Sequence, residues 1–378
     1  MAAPPCIDAD VVVLGAGPAG CALALNLAPF QRVLLVDKGE MQGETQGVRI
    51  GESLPAAAGR LLRDMGLHDA FLQQAHLPCY VNRSDWGGNG GFEQDAIRNL
   101  DGHGWHLDRA RFDGWLLAVA QARGAALLRQ TRLLAVQRPH DSAQPWRLAV
   151  ERMGKPLQLS ARCVVDASGR NSLLAKQLGS QRIASGKLVC GWLIGRDRVD
   201  AGGASDLYAE ADGWWYTSPL PARLRLLAFY TDADLPAAAA AHSRAGMLAR
   251  LPGVPGLLCY LEQQGFCADG RHGFCAAHGA VLDRYCGRGW LAVGDAALSF
   301  DPLSAQGLFN ALFTGLAGAE AAQRHLQGDQ QALPGYQDQL HAIERAYASH
   351  LDASYRQEQR WPQRPFWQRR QARLCATQ

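Results

Sequence analysis

Three glycines and one aspartate carry the clearest chemistry in the chain. Gly15, Gly17 and Gly20 are spaced as G-x-G-x-x-G. In such a turn the first glycine permits the tight bend, the second lets backbone amides approach a pyrophosphate, and the third lets helix and strand pack closely. Aligned peptide dipoles place about half a positive charge at the start of the helix that follows, which stabilises an anionic pyrophosphate without any lysine. Asp37 follows Gly20 by seventeen residues and can accept hydrogen bonds from ribose hydroxyls.

These residues need a strand, a turn, a helix and a second strand in that order. Residues 9–14 form a continuous apolar run of the kind buried in parallel sheets. Residues 21–27, rich in alanine and leucine, read as a helix, and residues 32–36 read as a strand ending at Asp37. Together they predict a βαβ dinucleotide-binding unit.

At 378 residues, 48% hydrophobic and 19% charged, the chain has the composition of a globular protein of roughly two domains. A formal net charge of +3 is too weak a bias for nucleic acid, which is not expected as a partner. Arg356, Arg360, Arg364, Arg369, Arg370 and Arg373 crowd the C-terminal region with Trp361, Phe366 and Trp367. That segment reads as a solvated tail helix, the sharper alternative being a docking surface for a partner or for the chain's own core. Ten cysteines occur without a CxxC pair, and no secretory signal precedes the first strand, so free thiols and a cytoplasmic location are expected. The spacing of Cys259, Cys267, Cys275 and Cys286 matches no zinc pattern, and no metal site is expected. No apolar run reaches the roughly 18 residues of a spanning helix, the nearest being the glycine-broken stretch 307–322, so no membrane segment is expected.

Further segments resemble the flavin monooxygenases and flavin-dependent halogenases built like para-hydroxybenzoate hydroxylase. Gly51-Glu52-Ser53-Leu54-Pro55 looks like the GES segment of halogenase-like members, which implies that Glu52 and Ser53 line the flavin side of the active site. Residues 164–172 resemble the family's aspartate-glycine motif, which implies a place for Asp166 near the cofactor phosphates. Residues 290–297 resemble the strand that ends in a Gly-Asp pair, which implies that Gly294 and Asp295 hold the ribitol of FAD. The stretch from Phe300 to Gly307 resembles the Asp-Pro loop that passes the isoalloxazine. There Pro302 and Ser304 stand as candidate catalytic residues, Pro302 keeping the loop rigid and limiting water, and Gly307 would open a helix toward the ring. Amides at such a helix start stabilise the negative charge of reduced flavin. Residues 105–113 look like the segment in which an arginine opens a helix close to the flavin, which selects Arg109. Asp108 reads as that helix's N-cap, Arg111 and Asp113 as facing solvent or each other, and His106, with His103, as a candidate base.

The resemblance leaves three reactions: hydroxylating an aromatic ring, halogenating one, or reducing an alkene. Halogenases of this superfamily depend on an active-site lysine some tens of residues after the GES segment, and here none lies between Lys38 and Lys155. Arginine cannot replace it, because a guanidinium stays protonated and is a poor nucleophile. The favoured expectation is a monooxygenase in which reduced FAD and oxygen give a C4a-hydroperoxide that attacks an electron-rich ring. Residues 188–195, 214–221 and 224–230 read as strands of a second sheet, from which Trp214, Trp215, Tyr216 and Tyr230 would stack on substrate or pack the core.

The GES segment, residues 102–109, the Trp-Trp-Tyr strand and the basic tail together resemble the halogenase-like flavoproteins of tryptophylquinone cofactor maturation. That implies a tryptophan-containing precursor protein as substrate, with a free aromatic small molecule fitting the residues equally well. NAD(P)H or a partner flavin reductase would supply electrons. A reductase of the geranylgeranyl reductase type and a non-catalytic flavoprotein chaperone stand as alternatives.

The motif order implies an α/β chain: a Rossmann-type FAD-binding domain interrupted by a mixed β-sheet substrate domain and followed by a C-terminal helical segment. The expected bounds are 1–75, 100–180 and 280–330 for the FAD domain, 76–99 and 181–279 for the substrate domain, and 331–378 for the tail. Tyr336, Leu340, Ile343, Tyr347 and Leu351 recur at helical spacing in that tail, and Pro236 with its five alanines reads as a surface helix.

Overall fold

The Cys6–Leu14 strand lies at the centre of an eight-stranded sheet, and its composition explains why. Val11, Val12 and Val13 have no solvent exposure, so both faces of the strand are covered, as in parallel sheets flanked by helices. Its parallel neighbours are Lys155–Asp166 on one side and Val33–Val36 on the other. Trp290–Ala292 and Ala126–Leu128 extend the parallel set outward. The helix Pro18–Leu27 follows the glycine turn with Pro18 in its first turn, where a missing amide proton costs nothing. The long helix Gly307–Leu326 packs on it so closely that a Cβ on Gly315 would lie 2.6 Å from the Ala19 carbonyl. A computed structural model describes residues 5–39, 50–88, 91–139, 141, 144–199 and 202–372.

A second sheet has seven strands in the order His272–Ala276, Leu188–Arg196, Leu224–Asp232, Gly213–Leu220, Ala204–Glu210, Val81–Asp85 and Phe92–Asp95. It is antiparallel except where Ala204–Glu210 runs parallel to Val81–Asp85, which makes it mixed. Side chains alternate across its faces. Trp215, Leu227 and Phe229 pack against the helices Ala237–Ala241, Arg244–Arg250 and Pro255–Gln263, whereas Trp214, Ala228 and Tyr230 join a core on the opposite face. Trp215 therefore turns away from Trp214 and Tyr216, and its Nε1 donates to the Glu210 carboxylate at 3.1 Å. The alanine helix after Pro236 is not superficial, since Ala237, Ala238 and Ala241 are buried against this sheet. Arg225, fully buried on the helix-covered face, donates to Asp197 at 2.8 Å, Thr217 at 3.1 Å and Tyr260 at 3.0 Å. These partners offset the large desolvation cost of a buried guanidinium.

The C-terminal region forms the helices Ala332–Gln357 and Pro365–Gln371. It docks on the chain's own core and is not a solvated tail. Phe366 and Trp367 have no exposed surface, and Trp367 Nε1 donates to the Glu210 carbonyl at 2.9 Å. Arg370 grips the buried Asp232 at 2.8 and 3.1 Å, and Arg369 reaches both Asp232 and Asp234. Arg373 lies outside the described residues. Truncating Trp367 to alanine would remove a filled core site and should lower unfolding free energy by about 3–5 kcal/mol, read from the denaturation midpoint. A variant as stable as the parent would show that the tail packs on the surface only.

Candidate functional site

One cavity of about 910 Å³ runs between the two sheets. Gly17, Pro18 and Ala19 line one region of its wall, Arg109, Arg170 and Asp295 another, and Pro302, Leu303 and Gly307 a third. Glu52, Trp214, Tyr216 and Tyr230 contribute the wall supplied largely by the second sheet. The volume lies within the range of small-molecule and cofactor pockets.

The glycine turn is built as its sequence requires. Gly15 has a φ of +118°, and a Cβ there would fall 2.2 Å from the Ala167 carbonyl. A Cβ on Gly20 would sit 2.0 Å from the Gly15 carbonyl, so helix and turn touch. Gly17 differs: nothing lies within 4 Å of the Cβ position, which opens into the cavity at the start of a ten-residue helix. Space and amide polarity suit a pyrophosphate there. Asp37 is not among the residues that line the cavity; it ties the turn to the end of the second strand, accepting from Ala16 N at 3.0 Å and Gly39 N at 2.6 Å.

Asp166 is fully buried and not part of the cavity wall; it accepts from Ser168 N at 3.0 Å, Ser168 Oγ at 2.6 Å and Ala175 N at 2.9 Å. Burial pushes its carboxyl above the usual range, against those hydrogen bonds. It shapes the Ala167–Arg170 turn, and the turn residues Ala167, Gly169 and Arg170 reach the cavity. Gly294 lies under Asp295, its amide donating to Thr314 Oγ1 at 2.7 Å. The Asp295 carboxylate lines the cavity and accepts no hydrogen bond among the described residues. Desolvation raises its pKa, while the Arg170, Arg182 and Arg109 charges pull it down. It could accept ribitol hydroxyls. Arg109 donates to Gly51 O at 2.6 Å and Ile50 O at 3.2 Å, fixing the backbone before Glu52, and pairs with Asp113 at 3.3 Å. Asp113 therefore faces Arg109, not solvent or Arg111. Asp108 caps the helix, accepting from Arg111 N at 3.1 Å.

Glu52 is buried and held from the second sheet: its Oε1 accepts from Tyr216 OH at 2.9 Å and Ser218 Oγ at 2.7 Å. Ser53 lines the cavity and pairs with His106 in a small three-stranded sheet. His106 itself does not reach the cavity wall. It is fully buried, neither ring nitrogen has a hydrogen-bond partner, and desolvation lowers its pKa to about 4 despite the nearby Glu52 charge. The position expected for a base thus holds a neutral, enclosed imidazole. His103 Nδ1 lies 2.8 Å from the Gly104 carbonyl. Pro302 lines the cavity, whereas Ser304 turns its hydroxyl back to donate to Asp301 O at 2.9 Å. Gly307 reaches the cavity and begins the twenty-residue helix.

Several wall residues have no local signal in the sequence. Arg170 sits inside a recognised motif without being singled out, and Asn82, Arg83, Phe92 and Gln94 come from a hairpin of polar composition. Cys79, Cys190 and Cys275 also face the cavity. The link from Tyr216 and Ser218 to Glu52 joins distant segments, so spacing alone does not reveal it.

A glycine turn opening into a long cavity, a free carboxylate beside it and a helix start beyond it define a Rossmann-type flavoprotein, an FAD-dependent oxidoreductase. Residues 8–199, just over half of the chain, match the FAD binding domain family, and the chain belongs to it. FAD is its cofactor. LodB of Marinomonas mediterranea, a putative FAD-dependent oxidoreductase, is 28% identical over 376 residues, covering 96% of this chain and 97% of that protein. QhpG, a peptidyl tryptophan dihydroxylase essential for tryptophylquinone cofactor biogenesis, superposes with a TM-score of 0.71 at 25% identity, over 97% of this chain and 79% of that one. The flavin-dependent halogenase CmlS superposes with a TM-score of 0.84 at 21% identity, over 96% and 68% of the respective chains, and shares the fold. No helix among the described residues is long and apolar enough to cross a membrane, and those residues contain no metal-ligating cluster.

Two outcomes follow from the site's polar groups. Asp295→Ala should weaken FAD retention by about 1.5–3 kcal/mol, roughly 10- to 100-fold in Kd, in flavin-release titrations; undiminished retention would place the ribitol elsewhere. His106 has a folded pKa of about 4 against an ordinary 6.5, so the unfolded chain binds the extra proton first. Its contribution to stability is intact above the ordinary value and is lost as pH falls toward the folded one, by up to about 3 kcal/mol. His106→Phe should flatten that part of the stability profile, and an unchanged profile would show that another group titrates.

Proposed function

We propose that the chain is an FAD-dependent monooxygenase that hydroxylates an electron-rich aromatic ring, in particular the indole of a tryptophan within a precursor protein. The observation that carries this reading is the continuity of one cavity from the glycine turn and Asp295 to an aromatic wall. On that wall Trp214 and Tyr230 stack with centroids 3.9 Å apart, and Tyr216 is tied to Glu52. A flat, polarisable surface beside a carboxylate suits a planar ring bearing an N–H donor.

In this reading Gly15, Gly17 and Gly20 shape the pyrophosphate cradle, Asp37 serves the ribose, and Gly294 and Asp295 hold the ribitol. Asp166 sets the turn near the phosphates, and Arg109 fixes the backbone that leads into Glu52 and Ser53 against the flavin. Reduced FAD, once bound, supplies the activation of oxygen. The chain's own part is to bind, orient and exclude water. Pro302 and Gly307 shape the loop and helix start beside the ring, and Ser304 holds that loop through Asp301. Glu52 Oε2 accepts no hydrogen bond among the described residues and would take the substrate's N–H. No lysine lines the cavity, which removes the amine that halogenation by this superfamily uses. The likeness of nearly the whole chain to QhpG supports a protein-bound tryptophan over a free aromatic. NAD(P)H or a flavin reductase would deliver the electrons.

The test is to load the protein with FAD, reduce it, and supply isotopically labelled oxygen with a panel of tryptophan-containing peptides and free indoles. Mass spectrometry should find one labelled oxygen atom added to the indole, more readily in peptides. A halogen gain in the presence of halide, or reoxidation with no product from any member of the panel, would overturn the reading in favour of halogenation, or of a reductase or chaperone.

A further inference from the structure

Cys190 and Cys275 face each other across two antiparallel strands, in direct register. The flanking bonds Ala277 N to Leu188 O, 2.9 Å, and Ile194 N to Arg271 O, 2.7 Å, lie at the same parity, so the cysteines occupy a hydrogen-bonded pair position. Such partners have Cα atoms about 5.5 Å apart, inside the range of about 4.4–6.8 Å that a disulfide spans. Both cysteines line the cavity. Their exposures differ: Cys190 is fully buried, whereas Cys275 is only partly so. The Cys190 thiol donates to Gly191 O at 3.6 Å. The neighbouring Cys190 thiol and the Arg170 charge together lower the Cys275 pKa to about 7, against the opposing effect of burial.

The same row continues across the sheet. Cys190 lies opposite Tyr230, and Tyr230 lies opposite Trp214. The two thiols therefore stand at the end of a line of oxidisable aromatic side chains on the wall where a flavin's oxygen chemistry would take place. An accessible low-pKa thiol beside a buried second thiol is the arrangement of a redox-active cysteine with a resolving partner.

We propose that Cys275 and Cys190 are a peroxide-reducing dithiol built into the cavity wall, with Cys275 the attacking thiol, Cys190 the resolving thiol and hydrogen peroxide the oxidant. The Cys275 thiolate attacks one peroxide oxygen and the O–O bond breaks. Hydroxide leaves, takes a proton and becomes water, and Cys275 is left as a sulfenic acid. The Cys190 sulfur then attacks the Cys275 sulfur. An S–S bond forms, the S–O bond breaks, and the departing hydroxide takes the Cys190 proton to give a second water. Two thiols are oxidised by two electrons and one peroxide is reduced to two waters. Flavin reoxidation by oxygen without transfer to substrate releases hydrogen peroxide, and that source rests on the oxygenase reading; the thiol chemistry does not.

The experiment uses the full, thiol-reduced chain without substrate. It is treated with equimolar hydrogen peroxide, remaining thiols are alkylated, and peptides are mapped without reduction. A Cys190–Cys275 crosslink should form before the exposed Cys6, Cys259 and Cys267 are modified. In Cys190→Ser, Cys275 should stop at a sulfenic acid that dimedone captures, and in Cys275→Ser, Cys190 should stay reduced. Oxidation of the exposed cysteines first, with no Cys190–Cys275 crosslink, would overturn the proposal. The order of oxidation in the unaltered chain decides the matter even where a variant fails to fold. A crosslink without any hydroxylated indole would keep the dithiol and discard the monooxygenase, and the reverse result would do the opposite.

Discussion

The register of three parallel strands governs where everything else in the site can be. Leu14 pairs with Asp166, and Asp166 pairs with Ala292, so three chain segments reach the same edge of the first sheet together. The residues that follow each strand are the glycine turn, the Ala167–Arg170 turn and the Val293–Asp295 step, and all three contribute to one cavity. Ligand sites in open parallel sheets form outside the carboxyl ends of the strands for this reason. The tolerance is small. The Gly15 and Ala167 backbones approach too closely for any side chain between them, so a one-residue slip of either strand would separate the cradle from the Asp295 carboxylate.

The second sheet imposes a different constraint, the two-residue alternation of its faces. One face is committed to the helices that cover Trp215, Leu227 and Phe229, and this leaves Trp214, Tyr216 and Tyr230 for the cavity. Tyr216 and Ser218, two residues apart on one strand, then meet the Glu52 carboxylate from the same side. Glu52 belongs to a segment whose backbone carbonyls Arg109 holds, so the carboxylate is positioned from both sides of the cavity. Two donors on one oxygen of a buried carboxylate fix its orientation.

What could be read from the sequence follows this division between local and distant causes. The glycine turn, the Gly-Asp pair, the helix capped by Asp108 and the long tail helix are short-range patterns, and each stands in the fold close to its expected place. Trp215 shows where local reading stops: three consecutive aromatics look alike, and only the covered face decides which one turns inward. The helix after Pro236 looked superficial because alanine gives no amphipathic signal, yet alanine is what lets a helix lie against a sheet. The pairing of Cys190 with Cys275 depends on strand register, and the docking of Arg370 on Asp232 on tertiary contact, so neither is written in spacing.

The C-terminal segment connects these two constraints. Tyr355 donates to Asp301 Oδ2 at 3.0 Å, and Trp214 Nε1 donates to Tyr355 OH at 3.3 Å. One phenol on the tail helix thus joins the loop that carries Pro302 to the aromatic wall of the second sheet. Tyr347 holds the same loop, its hydroxyl accepting from Asp301 N at 2.6 Å. The Arg370 guanidinium lies 5.0 Å from the centre of the Tyr355 ring while gripping Asp232 at the end of a wall strand. The arginines and aromatics that looked like a free tail are therefore a brace across the cavity. They set the distance between the loop that carries Pro302 and the aromatic wall of the second sheet, and groups placed on opposite walls of a site can act together only where such a distance is held constant.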